Sequence, residues 1–202
     1  MPPTTSAPRP AARPRHSPLI RPILGALLSL IVLVGLAVLI AWLVVQPRKL
    51  RYTIGKGSIS GYNLTRNDLL NANFQFVLRA NNPNRRISLY YDKIDATVLY
   101  QDRVLSTNDV HPFYQPRRSV THLDLYLTPK DAAVHGSVAK GLRMERAAGQ
   151  IQVDLKIRAK IRMKVGVFKI HRKLKAFCGS VTVLFNSTEG FKRVDCDVDI
   201  SD

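Results

Sequence analysis

An uncharged run of 23 residues, positions 23–45, constrains this chain more than any other feature of its sequence. The run consists mostly of Leu, Val, Ile and Ala, and as a helix it would be about 34 Å long. Because the hydrocarbon core of a bilayer is about 30 Å thick, the run predicts one membrane-spanning helix at residues 23–45. A cleavable signal peptide is the alternative, but its apolar region would be about half as long and a small-residue cleavage motif would follow it.

The segment before this run, residues 1–22, is predicted to be a disordered basic tail. It holds seven of the twelve prolines, four arginines and no acidic residue, and it has too little apolar surface to form a core. Four cations also follow the run, between Arg48 and Lys56. Because equal numbers of cations flank the two ends, the positive-inside rule does not orient the helix.

Two other features predict that the C-terminal part lies outside the cytosol. Asn63 and Asn186 each begin an Asn-X-Ser/Thr triplet, which is the acceptor for N-linked glycans. The only two cysteines, Cys178 and Cys196, lie in the same part, and cysteine pairs form disulfides in oxidising compartments. We therefore expect a cytosolic N-terminus and an extracytosolic C-terminal domain that is a glycoprotein.

Alternation of apolar and polar residues dominates the rest of the chain and predicts a mainly β domain. We expect residues 46–70 to form a juxtamembrane linker with a first strand, and residues 71–202 to form an antiparallel β-sandwich, because strands do not alternate with helices. The stretch from Thr128 to Asp131 has the composition of a helix start, with a capping residue followed by proline. One short helix is therefore expected there.

The longest strand pattern, residues 151–165, places apolar residues on one face and cations on the other. Five cations alternate along its polar face: Lys156, Arg158, Lys160, Arg162 and Lys164. The formal net charge of the chain is +17, so this face predicts an anionic partner. The alternative is a solvated face that protects a strand from aggregation.

A polar junction, NPNRRISLYYD at residues 82–92, separates two strand patterns. Asn82, Pro83 and Asn84 predict a β-turn, because proline suits the second position of a turn and asparagine tolerates a left-handed backbone at the third. The chain is expected to reverse there and to set the register of the two strands. This role would be architectural rather than chemical.

In the strand after this junction, the alternation of apolar and polar residues shifts by one position, which we call a change of parity. Tyr91 belongs to one apolar series and Ile94 begins another on the opposite face. A β-bulge at Asp92 or Lys93 would bring both series to the same face of the sheet. Tyr90 and Tyr91 are then expected to point to opposite faces, one into the core and one outward.

The junction, the tripeptide FYQ at residues 113–115, the single apolar run and the long basic strand together resemble the plant NHL family. These are hairpin-induced and disease-resistance-like membrane proteins of the late embryogenesis abundant group 2 superfamily. Six residues carry the family motif: Asn82, Pro83, Asn84, Tyr90, Tyr91 and Asp92. The resemblance implies a fibronectin-like or immunoglobulin-like β-sandwich with one helix and a role in defence or stress responses. It also implies a place at the plasma membrane or plasmodesmata, with the endoplasmic reticulum as an alternative.

No residue pattern predicts a catalytic or metal site. The five histidines lack metal-ligand spacing, and the glycines near Lys56 lack the strand-to-helix context of a phosphate loop. His111 or His122, together with Asp109 or Asp124, would make a histidine–carboxylate pair that could act as a general base. No activated Ser or Cys at a turn accompanies them. We therefore expect no enzyme, no cofactor and no metal.

Two hypotheses of binding remain. In the first, the domain is an interaction or adhesion module that presents its basic face to cell-wall polysaccharide or to another membrane protein. In the second, it is a lipid-handling module whose basic face lies on anionic head groups and whose interior accepts an acyl chain. Nucleic acid is excluded as a partner by the expected compartment and by the lack of aromatic residues between the cations.

The two cysteines lie symmetrically about residue 187, where Asn186 begins a stretch with the composition of a turn. A hairpin closed there would place Cys178 directly opposite Cys196, at a distance that a disulfide can bridge. A slip of one residue would point the two side chains to opposite faces. In that case the cysteines would be buried thiols.

Overall fold

The computed structural model of the protein describes residues 20–45, 48–185 and 190–201. The chain separates into two compact units, Met1–Gln46 and Pro47–Asp202. Most of the predicted basic tail therefore lies outside the described residues.

The described part of the first unit is one helix, α1 (Ile20–Val45). It begins before the predicted span because Arg21 and Pro22 join its first turn, where the missing N–H of proline is not needed. The segment Arg21–Ile40 is long and apolar enough to cross a membrane, and its side chains are not buried by protein. An N-terminal apolar helix of this kind fits a single-pass anchor or a signal sequence.

The second unit is mainly β, with one short helix among its described residues. Its elements are β1 (Arg51–Leu64), β2 (Leu69–Asn82), β3 (Ile87–Tyr100), β4 (Arg103–Val110), β5 (Phe113–Gln115), β6 (Ser119–Leu127), β7 (Ala132–Ala133), α2 (Ser137–Ala147), β8 (Gln150–Val165), β9 (Phe168–Phe185) and β10 (Val194–Ser201). Because β1 pairs with β2 and β10, the compact unit begins at Pro47 rather than near residue 71.

The ten strands of the described part join one continuous sheet, in the order β4-β3-β8-β9-β10-β1-β2-β6. Outside this path, β5 pairs with β3 and β7 pairs with β2. Every pairing is antiparallel except for a short parallel contact between β1 and β9. The predicted mainly β fold with an N-terminal helix and one short helix is confirmed.

The sheet folds over on itself and encloses the core between its two halves. One face of each long strand is buried, as in β8, where alternate residues from Ile151 to Ile161 are buried. At the two open edges, the Asn108 side chain of β4 donates a hydrogen bond of 2.8 Å to the Tyr126 carbonyl oxygen of β6. The two halves of one sheet therefore serve as the two layers of the predicted sandwich.

The junction after β2 does not form the predicted β-turn. β2 ends at Asn82 and β3 begins at Ile87, but these strands are not neighbours in the sheet. Asn84 is not one of the described residues with positive φ. The chain instead crosses from one half of the sheet to the other. The turn prediction was wrong because local composition does not specify which strands pair.

The β-bulge predicted in β3 is confirmed. β3 pairs with β8 up to Tyr91 opposite Ile161, and the pairing resumes with Lys93 opposite Lys160, so Asp92 is the extra residue. This shift turns Tyr91 into the core, where its exposed fraction is 3%, while Tyr90 is half-buried. The change of parity was a sufficient signal because one face of the strand must stay apolar.

The short helix begins later than predicted. α2 starts after Gly136, whose φ of 64° changes the direction of the chain. No side chain caps the N-terminus of α2. The start predicted at Thr128 is wrong because β7 follows it and pairs with the beginning of β2. One face of α2 packs on the core, since Val138 and Leu142 are buried.

Candidate functional site

The five cations predicted on one face of the longest strand lie on the outer face of β8, between β3 and β9. Arg158 and Lys160 are exposed, and the other three are half-buried. β3 and β9 add further cations on the same side. We define the basic surface by these residues: Lys93, Lys156, Arg158, Lys160, Arg162, Lys164, Lys169, Lys173 and Lys175.

Three lysines from neighbouring strands lie side by side in the middle of the basic surface. Lys160 on β8 pairs with Lys93 on β3 and with Lys173 on β9, and adjacent strands are about 4.8 Å apart. Like charges directly opposite each other destabilise a sheet. This row concentrates positive charge in the middle of the basic surface, which favours an anionic ligand there.

Arg162 differs from the other cations of β8 because it is held by Asp92. The guanidinium donates to both carboxylate oxygens, from Nε at 2.8 and 3.0 Å and from Nη2 at 2.5 Å. These hydrogen bonds and the charge of Asp92 raise the pKa of Arg162. The five predicted cations are therefore not equivalent. The acidic residue of the family motif binds a cation of the basic strand.

Acidic residues border the basic surface on two sides. On β3, Asp95 lies opposite Arg158 and forms an ion pair of 3.4 Å with Lys93. On β10, Asp199 lies opposite Lys175. A shallow depression of about 240 Å³ lies between them, and its charged lining residues are Lys93, Asp95, Arg158, Lys160, Lys173 and Lys175. The shape suits an extended polyanion lying across the strands better than a small ligand.

The side chains of Asn82 and Asn84 tie three segments of the domain together. Asn82 Nδ2 donates to the carbonyl oxygens of Ile87 and Pro116, both at 2.9 Å, and its Oδ1 accepts from Asn84. The Asn84 amide accepts from the Arg48 N–H at 2.7 Å and donates to the Arg48 carbonyl at 2.9 Å. Both asparagines are buried. Their amides are used by the fold rather than by a ligand.

The tripeptide of β5 packs on the double tyrosine of β3. The Phe113 ring stacks on the Tyr91 ring, with centroids 4.3 Å apart and 9° between the planes. The Tyr114 ring lies over the Tyr90 ring with centroids 4.5 Å apart. The two pieces of the sequence motif therefore form one cluster, and this cluster has an inner, buried half and an outer, exposed half.

A chain of buried hydrogen bonds crosses the core from this cluster. Tyr91 donates to Gln115 Oε1 at 3.0 Å, so the Tyr52 hydroxyl is the donor in its contact with Tyr91. Gln115 Nε2 donates to the Ala80 carbonyl oxygen at 2.9 Å. Burial raises the pKa of Tyr91 to about 12 and also raises the pKa of Tyr52. Both tyrosines are therefore neutral near neutral pH and act as structural groups.

Cys178 of β9 and Cys196 of β10 form a disulfide with their Cα atoms 4.2 Å apart. The two strands pair with Asp197 opposite Phe177, and this register extended by one residue places the cysteines opposite each other. The described parts of β9 and β10 do not stay paired toward residue 187, as the expected hairpin requires, because β9 continues to Phe185 and pairs there with β8 and β1. The partner strands on both sides set the register.

Of the two glycosylation candidates, the structure describes one. Asn63 is exposed near the end of β1, opposite Asn71. The Thr65 hydroxyl of the same triplet accepts a hydrogen bond of 3.0 Å from the Leu69 N–H. The Asn63 side chain is therefore open to solvent. Asn186 lies outside the described residues.

The acids and histidines considered for catalysis line one open groove between β4 and β6. The groove has a volume of about 640 Å³ and contains Asp109, His111, His122 and Asp124, and both histidines are exposed. Over residues 20–45, 48–185 and 190–201, no group of three His, Cys, Asp or Glu residues is placed to hold a metal ion. These residues belong to the gap between the two edge strands.

Of the central lysine row, only Lys160 was among the five predicted cations, and Lys93 and Lys173 were missed. Lys93 is the harder of these two to find from the sequence. It follows the bulge in β3, a strand whose own pattern carries no run of cations. Only the pairing of β3 with β8 brings it beside Lys160. Its position directly after the parity change was the available signal, because a residue at a bulge is expected on the outer face.

Comparison with known proteins gives a consistent set of similarities. Residues 77–178 match the family model described as late embryogenesis abundant protein. NDR1/HIN1-like protein 3 of Arabidopsis thaliana is 34% identical over 88% of this chain and 79% of that protein. An uncharacterized protein of the same plant is 32% identical and NDR1/HIN1-like protein 10 is 31% identical, each over 86% of this chain and 80% of its own length. The chain is also similar to the solved structure of a protein from Archaeoglobus fulgidus, at 10% identity over 61% of this chain and 93% of that chain, with a TM-score of 0.32.

Proposed function

This chain belongs to the late embryogenesis abundant family and to its NDR1/HIN1-like proteins, and from that membership we propose a non-enzymatic, membrane-anchored protein of plant defence or stress responses. Its domain lies outside the cytosol and binds an anionic polymer through the basic surface. The polymer is an acidic polysaccharide of the cell wall. The membrane is the plasma membrane, including its plasmodesmata, and the N-terminus is cytosolic.

The row of Lys93, Lys160 and Lys173 carries this proposal. Three cations lie side by side on adjacent strands, and a ligand that matches them must bring several negative charges at short, regular intervals. A polysaccharide with one carboxylate on each sugar has this property. The depression between the bordering acids is shallow and open, as an extended chain requires.

Three further observations support the proposed location. α1 contains a segment able to cross a membrane. The Cys178–Cys196 disulfide belongs to an oxidising compartment, and the exposed Asn63 begins a glycan acceptor triplet. Each is consistent with a domain that faces the wall.

The test is binding of the full chain, in detergent micelles, to immobilised polygalacturonate, with neutral dextran as the control polymer. The triple variant Lys93→Gln, Lys160→Gln, Lys173→Gln should bind about tenfold more weakly, because each exposed ion pair contributes roughly 0.2–1 kcal/mol. Arg162 is left unchanged in this variant because its pairing with Asp92 belongs to the fold.

A matched variant removes the same charge elsewhere: Arg103→Gln, Lys130→Gln, Lys140→Gln. These three residues are exposed and lie outside the basic surface. The matched variant should bind nearly as well as the parent chain. Equal losses in both triple variants would show only a general effect of net charge, and unchanged binding of the first variant would remove the basic surface as the site.

A further inference from the structure

The hairpin of β8 and β9 ends in an exposed apolar tip. Val165 pairs with Phe168 across Gly166 and Val167, and Gly166 has the positive φ, 59°, that a tight two-residue turn requires. The exposed fractions are 86% for Val167, 72% for Phe168 and 41% for Ile170. Turn residues are usually polar, so consecutive large apolar side chains here indicate a surface that is covered in use. We call residues 164–170 the hairpin tip.

The topology of the sheet keeps the hairpin tip away from the core. β10 pairs with β9 only up to Ser201 opposite Lys173, and β3 begins at Ile87 opposite Val165. Between Lys173 and Phe168, the described strands leave β9 paired with β8 alone, over about 17 Å of strand. Phe168 therefore projects beyond the end of β10.

Cations without acids surround the hairpin tip. No acidic residue occurs between Leu155 and Thr188 in the sequence, and Lys164 lies opposite Lys169 directly behind the apolar residues. Apolar side chains at the end with cations behind them are the arrangement of interfacial membrane anchors. In such anchors the apolar groups enter the boundary of the acyl chains and the cations contact lipid phosphates.

The hairpin tip lies at the end of the domain where the chain begins. Val165 pairs with Ile87, which is three residues after Asn84, and Asn84 is hydrogen-bonded to Arg48. The hairpin tip and Arg48 therefore lie at the same end of the domain.

We propose that the hairpin tip inserts into the surface of an anionic bilayer. Val167 and Phe168 enter the boundary of the acyl chains, and Lys164 and Lys169 contact the phosphates. A bilayer fits because the tip is narrow, projecting, apolar at its end and cationic around it. Lys164 and Lys169 lie at the edge of the basic surface, but this inference does not depend on polysaccharide binding, because the lysine row that carries that proposal lies farther along the hairpin, from Lys160 to Lys173.

The test places a fluorescent reporter at the tip of the full chain. Trp42 is the only tryptophan, so the variant Trp42→Phe with Phe168→Trp reports from one position. The protein is reconstituted into vesicles of phosphatidylcholine, or of equal parts phosphatidylcholine and phosphatidylserine. In the anionic vesicles we expect emission at shorter wavelength, quenching by lipids with brominated acyl chains, and protection from aqueous iodide. All three effects should be weaker in the neutral vesicles.

Two further variants make the result specific. In the variant Trp42→Phe with Tyr126→Trp, the reporter lies at an exposed position of β6. This position is seven residues along β6 from Ser119, which pairs with Asn82. This reporter should be quenched by iodide and not by brominated lipid. When Lys164→Gln and Lys169→Gln are added to the variant with the reporter at residue 168, iodide should quench that reporter in anionic vesicles.

The proposal is overturned if the reporter at residue 168 is quenched by iodide equally in both kinds of vesicle and unaffected by brominated lipid. It is also overturned if that reporter is protected from iodide without being quenched by brominated lipid, because a protein or a second copy of the chain would then cover the tip. Neither result would change the outcome of polygalacturonate binding. Failure of this inference and failure of the proposed function are therefore distinguishable.

Discussion

Tyr52 and Tyr91 join their hydroxyl groups across the core, although β8, β9 and β10 lie between their strands in the sheet. Tyr91 also donates to Gln115 and stacks on Phe113. This contact fastens the two halves of the folded sheet to each other. The double tyrosine and the FYQ tripeptide therefore form one structural unit, and its removal has predictable consequences.

Replacing Tyr91 by alanine should lower the free energy of unfolding by about 3 kcal/mol or more, because a large cavity and two unpaired polar groups would remain. Denaturant unfolding of the detergent-solubilised chain measures this change. Tyr114→Ala is the control, since its ring is partly exposed on the outer half of the cluster, and it should cost about 1 kcal/mol or less. Comparable losses from both variants would contradict a core role for Tyr91.

Stability should fall as the pH rises from about 10 to about 12. Burial raises the pKa of Tyr91 to about 12 and also raises the pKa of Tyr52, whereas an unfolded tyrosine ionises near pH 10. Within that window the unfolded chain has lost protons that the folded chain keeps, so rising pH favours unfolding. Tyr91→Phe should make the decline of melting temperature shallower there. An unchanged slope would contradict this assignment.

Asn82→Ala should destabilise the domain more than Pro83→Ala. Asn82 is buried and its amide donates two hydrogen bonds to carbonyl oxygens, so we expect a loss of about 2–3 kcal/mol in the free energy of unfolding. Pro83 only restricts the unfolded chain, and its replacement should cost under about 1 kcal/mol. Equal losses in denaturant unfolding would mean that proline stiffness, rather than the amide network, organises the junction.

The Cys178–Cys196 disulfide spans 18 positions of the chain, and breaking it should cost about 3 kcal/mol of stability. Thermal unfolding with and without reductant measures the loss. Mass spectrometry of protein alkylated without prior reduction should find neither cysteine modified. Two alkylated cysteines in protein from plant membranes would count against both the bond and an oxidising compartment.

The sequence was most informative where one periodicity extended over a long segment. The apolar run predicted α1, and the alternation in β8 predicted its buried and basic faces. The change of parity after Tyr91 located the bulge at Asp92. In each case a single strand or helix carries the whole signal, because burial of one face dictates the residue pattern.

Features that depend on pairing between distant strands could not be predicted in this way. Asn82 and Asn84 have turn composition, yet their amides bind Arg48, Ile87 and Pro116 instead. The helix start at Thr128 was wrong because β7 joins β2. Lys93 belongs to the basic surface only because β3 pairs with β8. Local propensity holds no information about these partners.

Glycosidase treatment of the full chain tests whether the domain is extracytosolic and held by one membrane span. The full chain and the variant Asn63→Gln with Asn186→Gln are expressed in plant cells and compared by electrophoresis before and after an N-glycosidase. We predict that the parent chain migrates more slowly than the variant and that the enzyme removes this difference. Identical migration of the two chains before treatment, with no shift afterwards, would contradict the account.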